Sequence, residues 1–253
     1  MEKSGTREWS DHSENAGIGC EHGCLYCYAR YDRVDRFHKC TNAEWSIFQP
    51  NNKRIDGNVR KLTGRVMFPT THDITPKNLD VCMILIRKHL EIGNELLITS
   101  KPHWHCITTI CENFHDYKQQ ITFRFTIGSS NNMVLKFWEP GAPTFAERRA
   151  CLQYAFDAGY KTSVSCEPML DIFPHYVFDN CKDHITDSFW IGLLRNWKSR
   201  VKLQSVPIST LDSKIYNCTK ATLDDKVIKT VHMVLQNEPL VKWKDSARKV
   251  LGL

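Results

Sequence analysis

The sequence predicts an α/β protein: a partial (β/α)6 barrel of the TIM type with a C-terminal helical extension. Three observations lead there. Short apolar runs of strand length alternate with longer stretches whose apolar residues recur at helical spacing. Six such strands are legible, two short of a closed eightfold barrel. The positions just after several of these strands are dense in polar and sulfur residues, within an otherwise ordinary globular composition of 42% hydrophobic and 25% charged residues.

The first strand is expected at Ala16-Gly17-Ile18-Gly19, running into Cys20, with a helix over 27–37. Val66-Met67-Phe68 is the second strand. Residues 78–91 are read as a helix, because Leu79, Cys82, Met83, Ile86 and Leu90 share one face, and Gly93-Asn94 ends it. Leu96-Leu97-Ile98-Thr99 is the third strand, followed by a helix over 104–115. The fourth, over 121–127, alternates: Phe123, Phe125 and Ile127 point one way, Thr122, Arg124 and Thr126 the other. Thr144 starts a helix through residue 158, with Glu147 completing a capping box and Gly159 as its stop. Strands five and six are expected over 162–166 and 189–193. After Ser205 the pattern loosens, with helices expected over 223–236 and 241–251. The chain therefore divides into a barrel core, 1–205, and a helical extension, 206–253, packed on it. Inside a barrel Arg124 needs a carboxylate; Glu167 is the first candidate and Glu139 the second.

Mean hydropathy is −0.41, and no apolar run is long enough to span a bilayer, so no membrane role is expected. The first residues lack an apolar signal core, which points to the cytoplasm. Lys and Arg exceed Asp and Glu by 34 to 28, a net +6 that permits an anionic partner without requiring one. Eleven cysteines is a high and odd number. Without a secreted context they are read as metal ligands and buried thiols, not as a disulfide framework.

Active sites of such barrels lie at the C-terminal strand ends. Here those ends carry Gly19-Cys20, Thr70-Thr71-His72-Asp73, Ser100-Lys101, Gly128-Ser129 and Cys166-Glu167. Cys20, Cys24 and Cys27 form a C-x3-C-x2-C motif around Gly23, which can take a positive φ. Three thiolates on a tight loop can hold three irons of a [4Fe-4S] cluster and leave the fourth open. The alternatives are zinc, which favours paired C-x2-C ligands and a fourth donor, or three buried thiols. The run His103, His105, Cys106, Cys111 and His115 matches no common zinc spacing. Arg30, Arg33, Arg36 and Lys39, interleaved with Tyr28, Tyr31 and Phe37, could track a phosphate backbone, but Asp32 and Asp35 make a mixed solvated face the plainer expectation. The block Arg195-Asn196-Trp197-Lys198-Ser199-Arg200-Val201-Lys202 is the stronger candidate for nucleic-acid contact.

With Tyr26 before its last cysteine, the motif resembles the radical S-adenosylmethionine (radical SAM) superfamily. From about Gly19 to about Pro168 the chain further resembles spore photoproduct lyases. The likeness lies in the cluster loop with both tyrosines, Ile98-Thr99-Ser100-Lys101 with His103, Phe123-Arg124-Phe125-Thr126-Ile127, Phe137-Trp138-Glu139-Pro140-Gly141 and Ala158-Gly159-Tyr160. The resemblance implies a [4Fe-4S] cluster on Cys20, Cys24 and Cys27, with S-adenosyl-L-methionine chelated to its open iron. Reductive cleavage would then give a 5′-deoxyadenosyl radical that abstracts hydrogen from substrate. It implies that Tyr26 packs on the cluster, Lys101 pairs with the SAM carboxylate, Thr126 lies near the ribose or methionyl group, and Tyr28 faces SAM. Thr71, His72, Ser100, Ser129 and Glu167 complete the expected cofactor-binding set, with His103 beside it. A reductant such as flavodoxin or ferredoxin is implied, and the lead substrate is a nucleic acid or nucleotide base. The rivals are a peptide or small metabolite substrate, and a non-catalytic metal-containing nucleic-acid-binding module. One departure matters: the lyases end their second strand with a hydrogen-donor cysteine, and Thr70 stands in that place.

Overall fold

The computed structural model describes residues 5–194, 196–201 and 210–253. Seven strands form one sheet in sequence order: His12–Ser13, Arg65–Phe68, Glu95–Ser100, Ile121–Thr126, Lys161–Cys166, Ser188–Ile191 and Val241–Trp243. Every neighbouring pair is parallel. Parallel neighbours need a crossover, and helices Leu79–Glu91, Trp104–Asn113, Phe145–Asp157 and Pro174–Cys181 supply four of them. The result is the expected partial barrel, with one strand more than the sequence pattern shows.

Three differences concern short elements. Gly17–Ile18 is not a barrel strand; it pairs antiparallel with Gln49–Pro50 in a separate ribbon. The barrel begins instead at His12–Ser13, two polar residues with no hydrophobic signature. At the other edge, Val241–Trp243 pairs with Ser188–Ile191, where a helix from 241 was expected. Pro239, beyond the end of the helix Asp225–Leu235, keeps that helix from running on, and the β-branched and aromatic Val241 and Trp243 suit a strand, so the last helix starts only at Asp245. The segment 206–253 thus contributes a barrel strand, together with a helix Thr210–Ala221 that the sequence pattern did not mark.

The main core lies between sheet and helices. Leu96, Ile98, Phe123, Phe125, Val164, Phe189 and Ile191 face Leu79, Cys82, Leu85, Ile86, Ile107, Ile110, Cys151 and Leu152 from the helices. Thr144 caps its helix by accepting the Glu147 N–H at 3.3 Å, but the box does not close. The Glu147 carboxylate turns to the Trp104 N–H, 3.0 Å away, and ties two helices together. The other face of strands four to seven is polar. There Arg124 is buried, donating to Ser163 Oγ (2.9 Å), Asp187 Oδ2 (3.0 Å) and Ser188 Oγ (3.2 Å), with Trp9 and Trp190 against the guanidinium. Its partner is Asp187, not Glu167 or Glu139. Depth along the strands decides this: Arg124 is level with Ser163, which is level with Ser188, so Asp187 stands beside it while Glu167 lies near the far end.

The N-terminal turn Gly5–Glu8 lies against the last strand and helix. Glu8 takes Lys244 at 2.6 Å, Arg248 at 3.0 Å and the Asp245 N–H at 3.0 Å. Among the described residues no helix is long and apolar enough to cross a membrane.

Candidate active site

A cavity of about 540 Å³ opens at the C-terminal ends of the strands. Cys20, Cys24 and Cys27 line it, with Tyr26, Tyr28, Thr71, His72, Ser100, Lys101, Thr126 and Glu167 from the expected set. Ser129 does not. It is buried, donates to Asp171 and accepts the Asn131 N–H at 2.9 Å, bracing the turn after strand four. His103 stands behind the wall, its Nε2 2.8 Å from Nε2 of the buried His22.

The cysteine loop is built by backbone. Gly19 and Gly23 have φ of +98° and +62°, values costly for side-chain-bearing residues. The Cys20 N–H donates to Trp45 O (2.8 Å), Leu25 N–H to Trp138 O (2.9 Å) and Cys27 N–H to Cys24 O (3.1 Å). Cys27 also caps the helix Tyr28–Arg30, its Sγ accepting the Arg30 N–H at 3.4 Å. Burial, then the charge of Asp73, pushes the Cys20 thiol up to about 12, and burial takes Cys24 well above the usual thiol range. Such desolvated sulfurs ionise when a cationic centre compensates them.

Tyr26 is buried in this loop and its hydroxyl donates to Glu139. Glu139 pairs at 2.6 Å with Arg148, both side chains fully enclosed, and Arg148 also donates to Pro143 O (2.9 Å) and Thr126 O (3.1 Å). Lys101 lies with Nζ 5.8 Å from the Tyr26 ring centre. Burial works against its charge, but Cys24, Glu139 and Asp73 outweigh burial and hold Lys101 above the usual lysine range.

Asp73, not among the expected site residues, is the hub of the near wall. It accepts from the Ser100 hydroxyl, from the Lys101 N–H at 2.9 Å and from the Ile74 N–H at 2.8 Å, and its Oδ2 is 3.3 Å from His22 Nδ1. Burial alone would raise its pKa; His22, Lys101 and Ser100 prevail and hold it well below the carboxylate range. Its place in Thr70-Thr71-His72-Asp73, an acidic residue at a strand end, was the available sequence signal. Asn15 is the other residue the sequence pattern missed. Its Oδ1 accepts from the Thr70 N–H, the Thr71 N–H and the Thr71 hydroxyl (2.9, 2.8 and 2.9 Å), and its Nδ2 donates to Thr70 Oγ1 at 2.7 Å. His72 accepts the Ala16 N–H at Nε2 and donates from Nδ1 to Asp73 O, both at 3.0 Å. Thr71 and His72 therefore face the cavity with their polar atoms already committed to shaping it.

At the mouth, the Tyr28 hydroxyl donates to Thr70 O at 2.5 Å, and Arg200 lies 5.9 Å over the Tyr28 ring. The basic stripe is largely self-paired: Arg30 to Asp35 at 3.1 Å, and Arg36 to Asp32 at 3.6 Å. Of the second basic block, Arg200 lines the cavity, while Arg195 and Lys202 lie outside the described residues. Among the described residues no three His, Cys, Asp or Glu side chains converge on a single metal-ion position, which a mononuclear zinc site on Cys20, Cys24 and Cys27 would need.

No family model matches the chain. The fold is that of radical SAM enzymes. It is similar to spore photoproduct lyase in a variant holding a dinucleoside spore photoproduct (TM-score 0.53, 18% identity, 90% of this chain and 74% of that one). A second lyase variant gives a TM-score of 0.56 at 17% identity, with the same coverage of both chains. SuiB of Streptococcus suis bound to S-adenosylmethionine gives 0.53 at 13% identity, over 91% of this chain and 45% of that one. In sequence, the uncharacterized protein ORF301 of Acidianus two-tailed virus is 25% identical over 187 residues, 68% of this chain. The chain spans 59% of the length of that relative.

Proposed function

We propose that the chain is a radical SAM enzyme, with a [4Fe-4S] cluster on Cys20, Cys24 and Cys27 and S-adenosyl-L-methionine in the adjoining cavity. One observation carries this: of eleven cysteines, only these three line the cavity, and they share it with Lys101 and Asp73. The donor set fits the group, being one buried and two half-buried free thiols that face one cavity from a loop that backbone hydrogen bonds pre-shape. Bound there, cluster and SAM would supply hydrogen-abstracting radical chemistry once one electron is delivered. Lys101 holds the SAM carboxylate, and Asp73 fixes the Lys101 backbone and Ser100. Glu139 and Arg148 anchor Tyr26 against the loop, and Thr126 contributes the floor. The electron donor is a flavodoxin or ferredoxin, and the reducing cytoplasm suits free thiols. The substrate is a nucleic acid, supported by Arg200 at the mouth and the net positive charge.

Anaerobic reconstitution with iron, sulfide, SAM and dithionite should release 5′-deoxyadenosine. The triple variant Cys20→Ala, Cys24→Ala, Cys27→Ala should lose both the cluster absorption and the release. A protein that loads a cluster yet never forms 5′-deoxyadenosine would be a binding module instead.

The chemistry after hydrogen abstraction differs from lesion repair. Thr70 is held by Asn15 and brings only strong O–H and C–H bonds to the cavity; Cys166 is buried, its Sγ directed at Gly128 O 3.7 Å away. No thiol besides the three cluster cysteines reaches the cavity. Spore-photoproduct DNA should therefore not be turned over catalytically to thymidines, and Thr70→Cys should create some repair. Catalytic repair by the unaltered protein would refute this.

A further inference from the structure

In the same cavity as the cysteine loop stands a carboxyl that the proposed chemistry leaves unused. Glu167 follows the fifth strand directly, and its side chain lies over Gly192. A Cβ at Gly192 would stand 2.7 Å from Glu167 Cγ, so that position is kept bare for it. The nearby cation, Lys244, is 3.6 Å away but is engaged more closely elsewhere. Its Nζ is 2.6 Å from Glu8 Oε2 and 2.6 Å from Gly5 O, and lies over the Trp9 ring at 4.1 Å. Glu8 thus holds Lys244, and Glu167 is left facing the cavity beside Pro168 and Leu194. An apolar flank strengthens whatever hydrogen bonds a carboxyl makes there.

The groups facing Glu167 are Lys244 from the N-cap between the last strand and the last helix, Asp245 from that helix, Glu8 from the N-terminal turn and, deeper in the barrel, Arg124. Burial raises the carboxyl pKa, Lys244 lowers it, and Glu8 and Asp245 raise it again, to a net value of about 7. Below that pH the group presents one O–H donor next to one carbonyl acceptor. The matching ligand edge carries one N–H beside one C=O. A peptide bond cannot offer that edge, because its trans geometry sets N–H and C=O on opposite sides. A cyclic lactam offers it, and nucleobases contain one.

We propose that Glu167 is the substrate-reading residue, pairing through its carboxyl with the lactam edge of a nucleobase admitted to the cavity. The proposal rests on the nucleic-acid enzyme described above, and it moves Glu167 from the expected SAM contacts to the substrate. Its O–H donates to the lactam oxygen and its carbonyl accepts the lactam N–H. Once ionised it sets negative charge against that oxygen, and the pairing is lost.

The oligomer-binding test needs no cluster; SAM affinity is read on the reconstituted protein. Fluorescence anisotropy of the 253-residue chain is measured with labelled single-stranded oligothymidylate, and with the same oligomer methylated at every N3 to remove the lactam donor, from about pH 6 to about pH 8.5. The unmethylated oligomer should bind about tenfold more tightly at pH 6, and the difference should fade as pH rises through 7. Glu167→Gln carries an N–H donor and a carbonyl acceptor at every pH, so it should keep the discrimination and lose its pH dependence. Glu167→Leu should bind both oligomers equally. Equal affinities in the unaltered protein at pH 6, no binding of either oligomer, or discrimination surviving Glu167→Leu would each overturn the proposal. So would a loss of SAM affinity, in place of base discrimination, in Glu167→Leu. Release of 5′-deoxyadenosine by the unaltered protein is a separate measurement, so either conclusion can fail without the other.

Discussion

Glu139→Ala is expected to cost about 3–5 kcal/mol of folding stability, the range for removing one partner of a fully buried ion pair. Arg148 would remain in a dry interior with two backbone carbonyls, Pro143 O and Thr126 O, for its charge. The Tyr26 hydroxyl would lose its acceptor at the same time, so the cysteine loop should load less cluster. The pair also has a pH signature. Burial alone would raise the pKa of Glu139, but Arg148 and Lys101 hold it below the usual carboxylate range. A depressed carboxyl stabilises the fold above its unfolded pKa, and that contribution disappears as pH falls through the folded value. The variant should therefore lose less stability on acidification than the unaltered protein. Urea unfolding of the cluster-free protein at neutral and acid pH, with iron analysis after reconstitution, checks all three. A variant as stable as the parent, with full cluster content, would show that the Glu139–Arg148 pair is dispensable.

Lys101→Ala should weaken SAM binding by about 10- to 100-fold, or ~1.5–3 kcal/mol, the usual worth of a hydrogen bond to a charged group. The side chain lies beside Tyr26 of the cysteine loop, in the cavity proposed for SAM. What anchors residue 101 to the wall is its backbone N–H on Asp73, which alanine retains. Cluster content and stability should thus change far less than SAM affinity. Equilibrium binding of SAM to the anaerobically reconstituted variant gives the answer, and unchanged affinity would remove Lys101 from the cofactor site.

What the sequence revealed and what it concealed follow from the range of each interaction. The Cys20, Cys24 and Cys27 spacing is local, so their shared place on the cavity could be read directly. Lys101 and Glu167 sit at strand ends, and parallel winding brings all such ends to one face. Asp73 could be read only as part of a strand end, because its importance comes from His22 on the cysteine loop and Ser100 at the end of the third strand. The partner of Arg124 was misjudged because strand order says which residues neighbour but not at what depth, and Asp187 wins by register. Ser129 shared the strand-end logic, yet Asp171 draws it into the turn. His12–Ser13 and Val241–Trp243 were hidden because two or three residues cannot display a period.

The contact of Glu8 with the residues around Lys244 has a bearing on how the molecule is made. The Asp245 N–H reaches Glu8 across 237 positions of sequence, so all of the intervening chain must leave the ribosome before that bond can close. Contacts of such long range form late, after shorter loops have closed. The wall on which Glu167 stands is thus expected to be finished after the cysteine loop has found its shape. A chain arrested short of Lys244 would carry the three thiols beside an incomplete chamber, open on the side that Lys244, Asp245 and Ser246 line in the finished fold.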